Sequence, residues 1–298
     1  MELEMKHDHF DQERNGENVR ARLLAAMPLT ERRLELAGIA TAVLEGGDGP
    51  PLVLLHGPGE YAAKWFTIVP QLAQSHRIVA PDLPGHGASI VPEGAIEADR
   101  VLDWLGALIR QTCPRPPVLV GQLLGGAIAA LFASRHSDRL SGLVLSDALG
   151  LAPFAPAPAF GRALGAYQAS PSEDTHDDLW RQCAFDLDRL RTSLGHDWEL
   201  IRAYNLDRAG TASLHATQRS LMEQFGLPAI APADLARITV PTTLIWGRHD
   251  RAIPLAVAEA AGERYGWPLH IIEGCADDPP MEQPAAFLKA LDGALART

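Results

Sequence analysis

The sequence predicts an α/β protein with a mostly parallel sheet of about eight strands, flanked by helices and interrupted by a helical insertion. Short runs rich in Val, Ile and Leu alternate with longer segments of helical periodicity along most of the 298 residues. From residue 52 onward these runs are nearly continuously apolar, which is typical of a parallel sheet covered on both faces. The alternation favours strand–helix–strand units with right-handed crossovers. The predicted strands are 31–37, 39–45, 52–55, 77–80, 118–120, 142–146, 242–246 and 269–272.

Helices are predicted in the intervening segments and at the N-terminus. A short amphipathic helix at 18–27 ends before Pro28, because a proline disfavours helical backbone in the residue before it. The polar residues 1–17 are predicted to be disordered, and the sequence His7-Asp8-His9 is expected to be solvated rather than metal-bound. The helices predicted for the core are 60–74, 96–111, 124–135, 254–265 and 283–296.

Residues 150–235 break the alternation of strands and helices. They begin with a Pro- and Ala-rich stretch and continue with helix-like pieces that carry several aromatic residues. This segment predicts a helical lid over the carboxyl edge of the sheet, where open α/β sheets bind ligands. A helical subdomain that only packs is the competing interpretation. The predicted organisation is a flexible extension with a short helix at 1–28, a core at 29–149 and 236–298, and the lid at 150–235.

Charge and cysteine content restrict the classes of partner. The chain has 26 Lys and Arg against 37 Asp and Glu, a net charge of −11, which argues against nucleic acid and against an anionic membrane surface. Three widely spaced cysteines predict a reduced, cytoplasmic chain without a disulfide framework. Neither a signal peptide nor a membrane-spanning run is expected. We expect a small-molecule ligand and neither a metal nor a cofactor, and a homodimer stays open.

One stretch, 118-VLVGQLLGGAIAALFAS-134, has the layout of a nucleophile elbow. A short apolar run stops at Gly121, a Gly-rich turn follows, and an Ala-rich helix comes next. In the pattern G-x-S-x-G this strained turn raises a serine into a pocket. Residue 123 is a leucine, which has no nucleophilic atom.

Five segments in order resemble the α/β-hydrolase superfamily, over roughly residues 30–297. VLLHGPGE resembles the HG turn of the oxyanion hole, and APDLPGHGAS resembles the signature D-x-x-G-x-G-x-S. GQLLGG stands at the elbow, WGRHDRAIP resembles the loop that carries the acid, and EGCADDPPMEQP resembles the loop that carries the histidine. The resemblance implies an α/β-hydrolase fold with a lid.

The resemblance also implies catalytic positions, and most of them are altered. Where a family hydrolase has serine, histidine and an acid, this chain has Leu123, Asp277 and Asp250. The last histidine of the chain is His270, ahead of the histidine loop. The oxyanion donors would be the backbone N–H of Leu124 and that of the residue after HG, but this residue is Pro58, which has no N–H. We therefore expect a degenerate triad.

Two carboxylates are the candidate catalytic groups. The family geometry would bring Asp250 and Asp277 together, facing Leu123, where mutual repulsion makes one of them hold its proton more tightly. Such a pair can act as acid and base in one site. Two structural interpretations stay open: Arg248 neutralises one carboxylate, or the pair only supports its loop.

Further polar and apolar residues are expected around the same space. Asp147 ends a strand at the carboxyl edge and is predicted to line the pocket, whereas Glu60 either lines the mouth or stabilises a helix N-terminus. His249 is expected to point away from the pocket, and His56 to be structural. The predicted substrate-binding residues are Gly57, Pro58, Glu60, Leu123, Leu124, Asp147 and Trp180.

These features together predict a non-hydrolytic, cofactor-independent enzyme of lyase, isomerase or cyclase type. It would act by acid/base chemistry on a small, largely apolar molecule beneath the lid. Two alternatives are a ligand-binding or scaffolding pseudoenzyme and a hydrolase that uses Asp-activated water.

Overall fold

The computed structural model describes residues 19–92 and 94–298 and confirms the predicted sheet. Eight strands lie in the order β1-β2-β4-β3-β5-β6-β7-β8. The pairs β1–β2 and β2–β4 are antiparallel and all the others are parallel. The strands are β1 Thr30–Leu36, β2 Ile39–Gly46, β3 Pro51–Leu55, β4 Arg77–Pro81, β5 Val118–Gln122, β6 Gly142–Ser146, β7 Thr242–Gly247 and β8 Leu269–Ile272.

Helices flank the sheet and also fill the insertion between β6 and β7. The first, α1, covers residues 19–25. The others are α2 Val69–Leu72, α3 Ala98–Thr112, α4 Leu123–His136, α5 Pro158–Ala169, α6 Glu173–Cys183, α7 Leu187–Leu194, α8 His196–Ala209, α9 Ala212–Leu221, α10 Pro232–Leu235, α11 Leu255–Tyr265, α12 Pro279–Glu282 and α13 Pro284–Leu295.

The helix predicted at 60–74 is wrong as a single element. A 3-10 helix covers Ala62–Thr67, and α2 begins only at Val69. Pro70 lies in the first turn of α2, where its missing N–H costs no helical hydrogen bond and its fixed φ suits a new start. The proline therefore divides the segment into two short helices.

Both faces of the sheet are buried, as the nearly continuous apolar strands predict. On β3, Val53 and Leu55 belong to one hydrophobic cluster, and Leu52 and Leu54 belong to the other, because successive side chains of a strand point to opposite faces. The first cluster includes Trp104, Phe132 and Trp246, and the second includes Trp65, Trp198 and Phe287.

The helices α5 to α10 lie where the lid is predicted, and α8 packs them onto the core. Trp198 and Tyr204 of α8 are buried, and the Tyr204 ring meets Tyr61 at a centroid distance of 4.3 Å. In contrast, α5 has no buried residue. The division into extension, core and lid, and the closing role of the lid, stay predictions.

The structure tests the predictions for the N-terminus, for membrane-spanning helices and for the cysteines only within the described residues. The predicted disorder of residues 1–17 and the sequence His7-Asp8-His9 lie outside the described residues. No helix within the described residues is long and apolar enough to cross a membrane. The three cysteines are free thiols.

Candidate functional site

The elbow forms at the junction of β5 and α4, as its glycines predict. Leu123 is the first residue of α4 and has a left-handed backbone with φ +46°, which is strained for a residue with a side chain. A Cβ on Gly125 would lie 2.3 Å from the backbone oxygen of Leu55, so only glycine lets α4 approach β3 this closely. The half-buried Leu123 side chain therefore stands on a turn that the whole junction holds in place.

The HG turn next to the elbow holds a carboxylate. The Gly57 N–H donates to Oε2 of Glu60 at 2.6 Å, and Pro58 has no N–H to offer. A Cβ built on Gly57 would lie 2.9 Å from both Glu60 Oε2 and Leu123 Cδ1, so the two side chains flank the same glycine. The expectation that Glu60 stabilises an α-helix N-terminus is wrong, because a 3-10 helix follows and the carboxylate binds this turn instead.

A buried lysine joins the HG turn to the end of β5 and to the loop after β8. Lys64 Nζ donates to Glu60 Oε1 at 2.9 Å and to Asp278 Oδ2 at 3.1 Å, and it also hydrogen-bonds to Gln122 Oε1. Burial lowers the pKa of Lys64, but the charges of Asp278 and Glu60 outweigh it and the pKa is raised overall. Lys64 is therefore charged and compensates two carboxylates.

Asp250, at the predicted acid position, is buried in the loop after β7. Its Oδ1 accepts the backbone N–H groups of Ala252 and Ile253 at 2.7 and 2.8 Å. Its Oδ2 is buried and finds no hydrogen-bond donor within the described residues. Burial raises the pKa of Asp250 to about 7, although the Ile253 and Ala252 N–H groups act in the opposite direction.

Asp277, at the predicted histidine position, lies close enough to Asp250 for their charges to interact. Burial, followed by the charge of Asp250, holds the pKa of Asp277 well above its usual range. The Asp277 backbone oxygen accepts from Gln122 Nε2 at 2.9 Å, which brings this loop to the residue before Leu123. Its backbone N–H donates to the backbone oxygen of Cys183, the last residue of α6, at 3.4 Å. The role of Asp250 and Asp277 as an acid–base pair stays a prediction.

The carboxylates beside Asp277 have other partners. Asp278 caps α12 and pairs with Lys64, whereas Glu282 accepts the N–H groups of Ala276 and Phe185 at 2.8 and 2.7 Å. Arg248 does not neutralise the acid pair, because this exposed side chain pairs with Glu273 at 2.6 Å. The interpretation that assigned Arg248 to the pair is wrong.

Asp147 comes directly after β6 and is fully buried. Like Leu123 it has a left-handed backbone, with φ +44°. Its Oδ1 accepts from the Gly247 N–H at 2.8 Å and its Oδ2 accepts from Ser146 Oγ at 3.0 Å. Burial, followed by the charge of Asp250, holds the pKa of Asp147 well above its usual range. The side chain thus faces Asp250, and a direct contact with substrate stays a prediction.

Trp180, His249 and His56 have partners other than the buried acids. Trp180 packs edge-on against Trp198 at 5.1 Å and beside His176 at 5.8 Å, in an aromatic cluster within the insertion. His249 is exposed and stacks with Phe185 at 4.5 Å, so it points away from the acids as expected. His56 accepts the Leu83 N–H through Nε2 at 3.0 Å, which gives it a structural contact. A substrate contact of Trp180 stays a prediction.

One cavity of about 300 Å³ lies between α7 and the loop after β8. Phe185, Arg189, Met281 and Glu282 are among the residues that line it, and neither Leu123 nor Asp250 is. Asp250 and Asp277 are buried and do not line this cavity. Within the described residues no group of three His, Cys, Asp or Glu side chains is arranged to hold a metal ion.

Comparison with known proteins settles the family. The sequence profile of the alpha/beta hydrolase family matches residues 52–290, which is most of the chain. The chain belongs to the alpha/beta hydrolase family. Within this family it is 30% identical over 283 residues to 2-hydroxymuconate semialdehyde hydrolase of Pseudomonas sp. strain CF600, covering 90% of this chain and 95% of the relative.

Other alpha/beta hydrolase relatives differ in their substrates. The pimeloyl-[acyl-carrier protein] methyl ester esterase of Aeromonas hydrophila is 29% identical, over 85% of this chain and 98% of its own. The solved structure of 2-hydroxy-6-oxo-6-phenylhexa-2,4-dienoate hydrolase from Rhodococcus sp. strain RHA1 superimposes with a TM-score of 0.78 at 26% identity, covering 90% of this chain and 99% of its own.

These relatives correct the functional prediction. The expectation of a non-hydrolytic lyase, isomerase or cyclase is wrong, because the relatives are named hydrolases and an esterase. The altered residues at the catalytic positions are thus compatible with hydrolysis on the retained scaffold. Of its two alternatives, the hydrolase agrees with this alpha/beta hydrolase family.

The sequence argument missed four residues of the site. Lys64, Gln122 and Asp278 form the buried polar network behind the elbow, and Cys183 contacts Asp277 from the insertion. A signal was present for Lys64, since it is the only charged residue in the apolar segment YAAKWF and follows Glu60 by one helical turn. Nothing in the sequence indicates that Cys183 meets Asp277, because they are far apart along the chain.

Proposed function

We propose that this protein is a hydrolase of small carbonyl compounds in which Asp250 activates water and Asp277 supplies a proton. The observation that carries the proposal is the buried Oδ2 atom of Asp250, which has no hydrogen-bond donor within the described residues. Asp250 also lies close enough to Asp277 for their charges to interact. A carboxylate oxygen without a donor is free to accept a hydrogen bond from water. Two carboxyl groups that titrate apart can serve as base and acid in one site.

Asp250 is the base of the proposed reaction. A pKa of about 7 leaves a substantial fraction ionised at neutral pH, and a base near the working pH is efficient in proton transfer. Its Oδ1 is fixed by two backbone N–H groups, so Oδ2 is the oxygen that removes the proton from water. The water oxygen then attacks the substrate carbonyl carbon. When the tetrahedral adduct collapses, the bond from that carbon to the leaving oxygen or carbon breaks, and the proton that Asp250 took from water passes to the leaving atom, which restores the Asp250 carboxylate.

Asp277 is the acid. Its raised pKa keeps the carboxyl protonated at neutral pH, so it can donate to the carbonyl oxygen that becomes negative during attack. This donor would take the place of the backbone N–H that Pro58 lacks, beside the Leu124 N–H at the start of α4. The helix N-terminus favours the same developing charge.

The proposed reaction proceeds without a covalent intermediate. Leu123 has no nucleophilic atom at the elbow. Burial raises the pKa of the Cys183 thiol well above its usual range, and it raises that of Cys275 in the same direction. Both thiols are therefore neutral and poorly nucleophilic. In the proposed reaction the nucleophile is therefore water, which attacks the substrate directly.

The relatives suggest the substrate class. 2-hydroxymuconate semialdehyde hydrolase and 2-hydroxy-6-oxo-2,4-heptadienoate hydrolase are named for small molecules with an aldehyde or ketone carbonyl. The esterase is named for the methyl ester of a pimeloyl group on an acyl-carrier protein. Leu123 adds an apolar surface beside the acids, which suits a substrate with an apolar portion. We propose an oxo-dienoate or a small ester.

Turnover of two probes tests the proposal. We expect purified protein to hydrolyse 2-hydroxy-6-oxo-2,4-heptadienoate or 4-nitrophenyl butyrate, and Asp250→Asn to abolish this activity. Labelling by a fluorophosphonate probe is not expected, since no activated serine stands at the elbow. A covalent adduct on any serine, or unchanged turnover in Asp250→Asn, would contradict the proposal.

A ligand-binding protein is the second candidate. The observation that favours it is the burial of both acids beneath the insertion, with Asp250 7% and Asp277 6% exposed. This candidate predicts saturable binding of the dienoate probe, followed by calorimetry, without any product. Measured turnover above the buffer rate eliminates it.

A further inference from the structure

The carboxylate of Glu60 lies beside Leu123 at the elbow. Its Oε2 accepts the Gly57 N–H at 2.6 Å, and a Cβ built on Gly57 would lie 2.9 Å from this oxygen and 2.9 Å from Leu123 Cδ1. Glu60 and Leu123 are both partly exposed, whereas Gly57 is buried between them. An apolar and an anionic surface therefore adjoin each other at the accessible side of the elbow.

The two oxygens of Glu60 make the contacts of an ionised carboxylate. Oε2 accepts from the Gly57 N–H, and Oε1 accepts from Lys64 Nζ at 2.9 Å. Burial raises the pKa of Glu60, and the positive charge of Lys64 acts in the opposite direction. Hydrogen bonds from an ammonium and from a backbone N–H stabilise the charged form of a carboxyl group. Glu60 thus places a negative charge next to Leu123.

Neither Lys64 nor the HG turn has a donor left for an anionic ligand. An ammonium group has three N–H donors. Lys64 Nζ has three partners, which are Glu60, Asp278 and the side-chain oxygen of Gln122. The Gly57 N–H is likewise occupied by Glu60.

The ion-paired network behind the elbow has more negative than positive groups. Within the described residues it joins the single cation of Lys64 to the two carboxylates of Glu60 and Asp278. Asp278 is its buried end, with 5% of the side chain exposed, and Glu60 is the end that reaches the surface, with 21% exposed. A ligand that lies against Leu123 therefore meets the negative end of the network.

We propose that Glu60 is a specificity-determining residue, whose negative charge beside Leu123 makes the site select uncharged acyl compounds over those that carry a carboxylate. A substrate small enough to react at the elbow places its own charge within about 8 Å of Glu60, which is about one Debye length at physiological ionic strength. Of the two substrate classes proposed above, the small ester is favoured and the anionic oxo-dienoate is the slower substrate. The effect on turnover rests on the proposed function, whereas the effect on binding does not.

Two esters of equal size and different charge test the proposal. The mono-4-nitrophenyl ester of adipic acid ends in a carboxylate, and the 4-nitrophenyl ester of adipamic acid ends in an uncharged amide. Glu60→Gln keeps an acceptor for the Gly57 N–H and removes the charge. We expect it to lower the ratio of kcat/KM, amide ester over carboxylate ester, by about 3- to 30-fold, because the repulsion between the two charges is lost.

Glu259→Gln is the matched control. It removes the same charge from an exposed position of α11, so its ratio should equal that of the wild type. A ratio that Glu60→Gln leaves unchanged overturns the proposal, because a carboxylate that only closes the HG turn would alter both rates alike. An equal fall in the control also overturns it, since net charge alone would then explain the selectivity.

Binding distinguishes failure of this proposal from failure of the proposed function. Hexanamide and hexanoate are titrated into each protein and followed by NMR chemical shifts. We expect the wild type to bind the amide more tightly, and Glu60→Gln to reduce the difference. If neither ester is hydrolysed, the proposed function fails and this titration alone decides. An equal preference in both proteins, or no binding of either compound, then overturns the proposal.

The wild type decides if Glu60→Gln does not fold, which thermal unfolding checks. Salt shortens the Debye length from about 30 Å at 0.01 M to about 3 Å at 1 M ionic strength, so it screens the charge of Glu60. We expect the ratio of the two esters, or of the two binding constants, to fall several-fold over this range. A ratio that is independent of salt overturns the proposal.

Discussion

Gln122 donates through Nε2 to the backbone oxygen of Asp277 at 2.9 Å, and this bond ties the end of β5 to the loop after β8. Gln122 also accepts from Lys64, and the same Nε2 donates to Asp278 Oδ1 at 3.2 Å. The residue before the elbow thus fixes the loop that holds the proposed acid. The altered elbow and the altered histidine loop belong to one network, and the following predictions depend on it.

Replacing Asp277 by Asn should reduce kcat without unfolding the protein. Asn is isosteric but cannot donate the proposed proton, and loss of general acid catalysis typically costs about 100- to 10,000-fold. Because the raised pKa means that the folded protein holds this carboxyl neutral, a neutral amide should not lower stability at neutral pH. Steady-state kinetics and thermal unfolding of Asp277→Asn measure both effects.

Asp278→Asn is the matched control for that variant. It removes the charge that pairs with Lys64 and the cap of α12, so it should lower thermal stability more than Asp277→Asn does. If both variants lose activity only in proportion to their loss of folded protein, Asp277 has no role as acid.

The rate should depend on pH through the ionisation of Asp250. The base must be ionised, so kcat/KM should rise with pH through about 7 and level off above it. Stability should move in the opposite direction. The folded pKa lies above that of an unfolded aspartate, so the free energy of unfolding falls as pH rises from about 4 to the folded pKa, by up to about 1.4 kcal/mol per pH unit.

Denaturant titrations of the wild type and of Asp250→Asn between these pH values measure the predicted fall in the free energy of unfolding. The variant carries no titrating group at this position, so its curve should be flatter than that of the wild type. Parallel curves would show that Asp250 has an ordinary pKa, which contradicts its assignment as base.

Lys64→Met should destabilise the protein strongly. The substitution removes a buried cation and leaves the carboxylates of Glu60 and Asp278 without it, and breaking a buried pair typically costs about 3–5 kcal/mol. Arg248→Met is the control, since its pair with Glu273 is exposed and such pairs contribute about 0–1 kcal/mol. Chemical denaturation compares the two, and equal losses would refute the structural role of Lys64.

Arg20 should hold α8 of the insertion against the core. Its guanidinium lies 2.8 Å from Asp82 Oδ2 and 3.2 Å from the Tyr204 hydroxyl, and all three side chains are buried. Arg20→Met should therefore lower stability by about 3 kcal/mol and speed amide exchange in α8. Arg115→Met, at an exposed position before β5, should change neither. Unaltered amide hydrogen exchange in α8 would show that Arg20 does not hold this helix against the core.

The sequence predicted the sheet well because its strands are set by hydrophobic pattern, which is local information. The eight strands and the Gly-rich junction around Leu123 follow from alternation and turn chemistry. The apolar pattern of residues 60–74 does not reveal the split of this segment, because only the single Pro70 marks the start of the second helix.

Only the site residues that occupy a position in the family motifs could be predicted from the sequence. Motif order assigns Asp250 and Asp277 to loops at the carboxyl edge, and both are buried there, whereas their pairing as acid and base stays a prediction. The contacts of Lys64 with Asp278 and of Cys183 with Asp277 arise between segments that are distant along the chain. The predicted reaction class was wrong because the absence of motif residues indicates only that the usual catalytic groups are altered. It does not indicate which groups replace them.

The most direct test of the account is a single-turnover hydrolysis in ¹⁸O-labelled water with enzyme in excess over 2-hydroxy-6-oxo-2,4-heptadienoate. Attack by Asp250-activated water predicts that the first product molecules carry the label, while the intact protein mass stays unchanged throughout the turnover. An unlabelled first product, or a transient mass adduct on the protein, would contradict it, because either result requires a covalent intermediate.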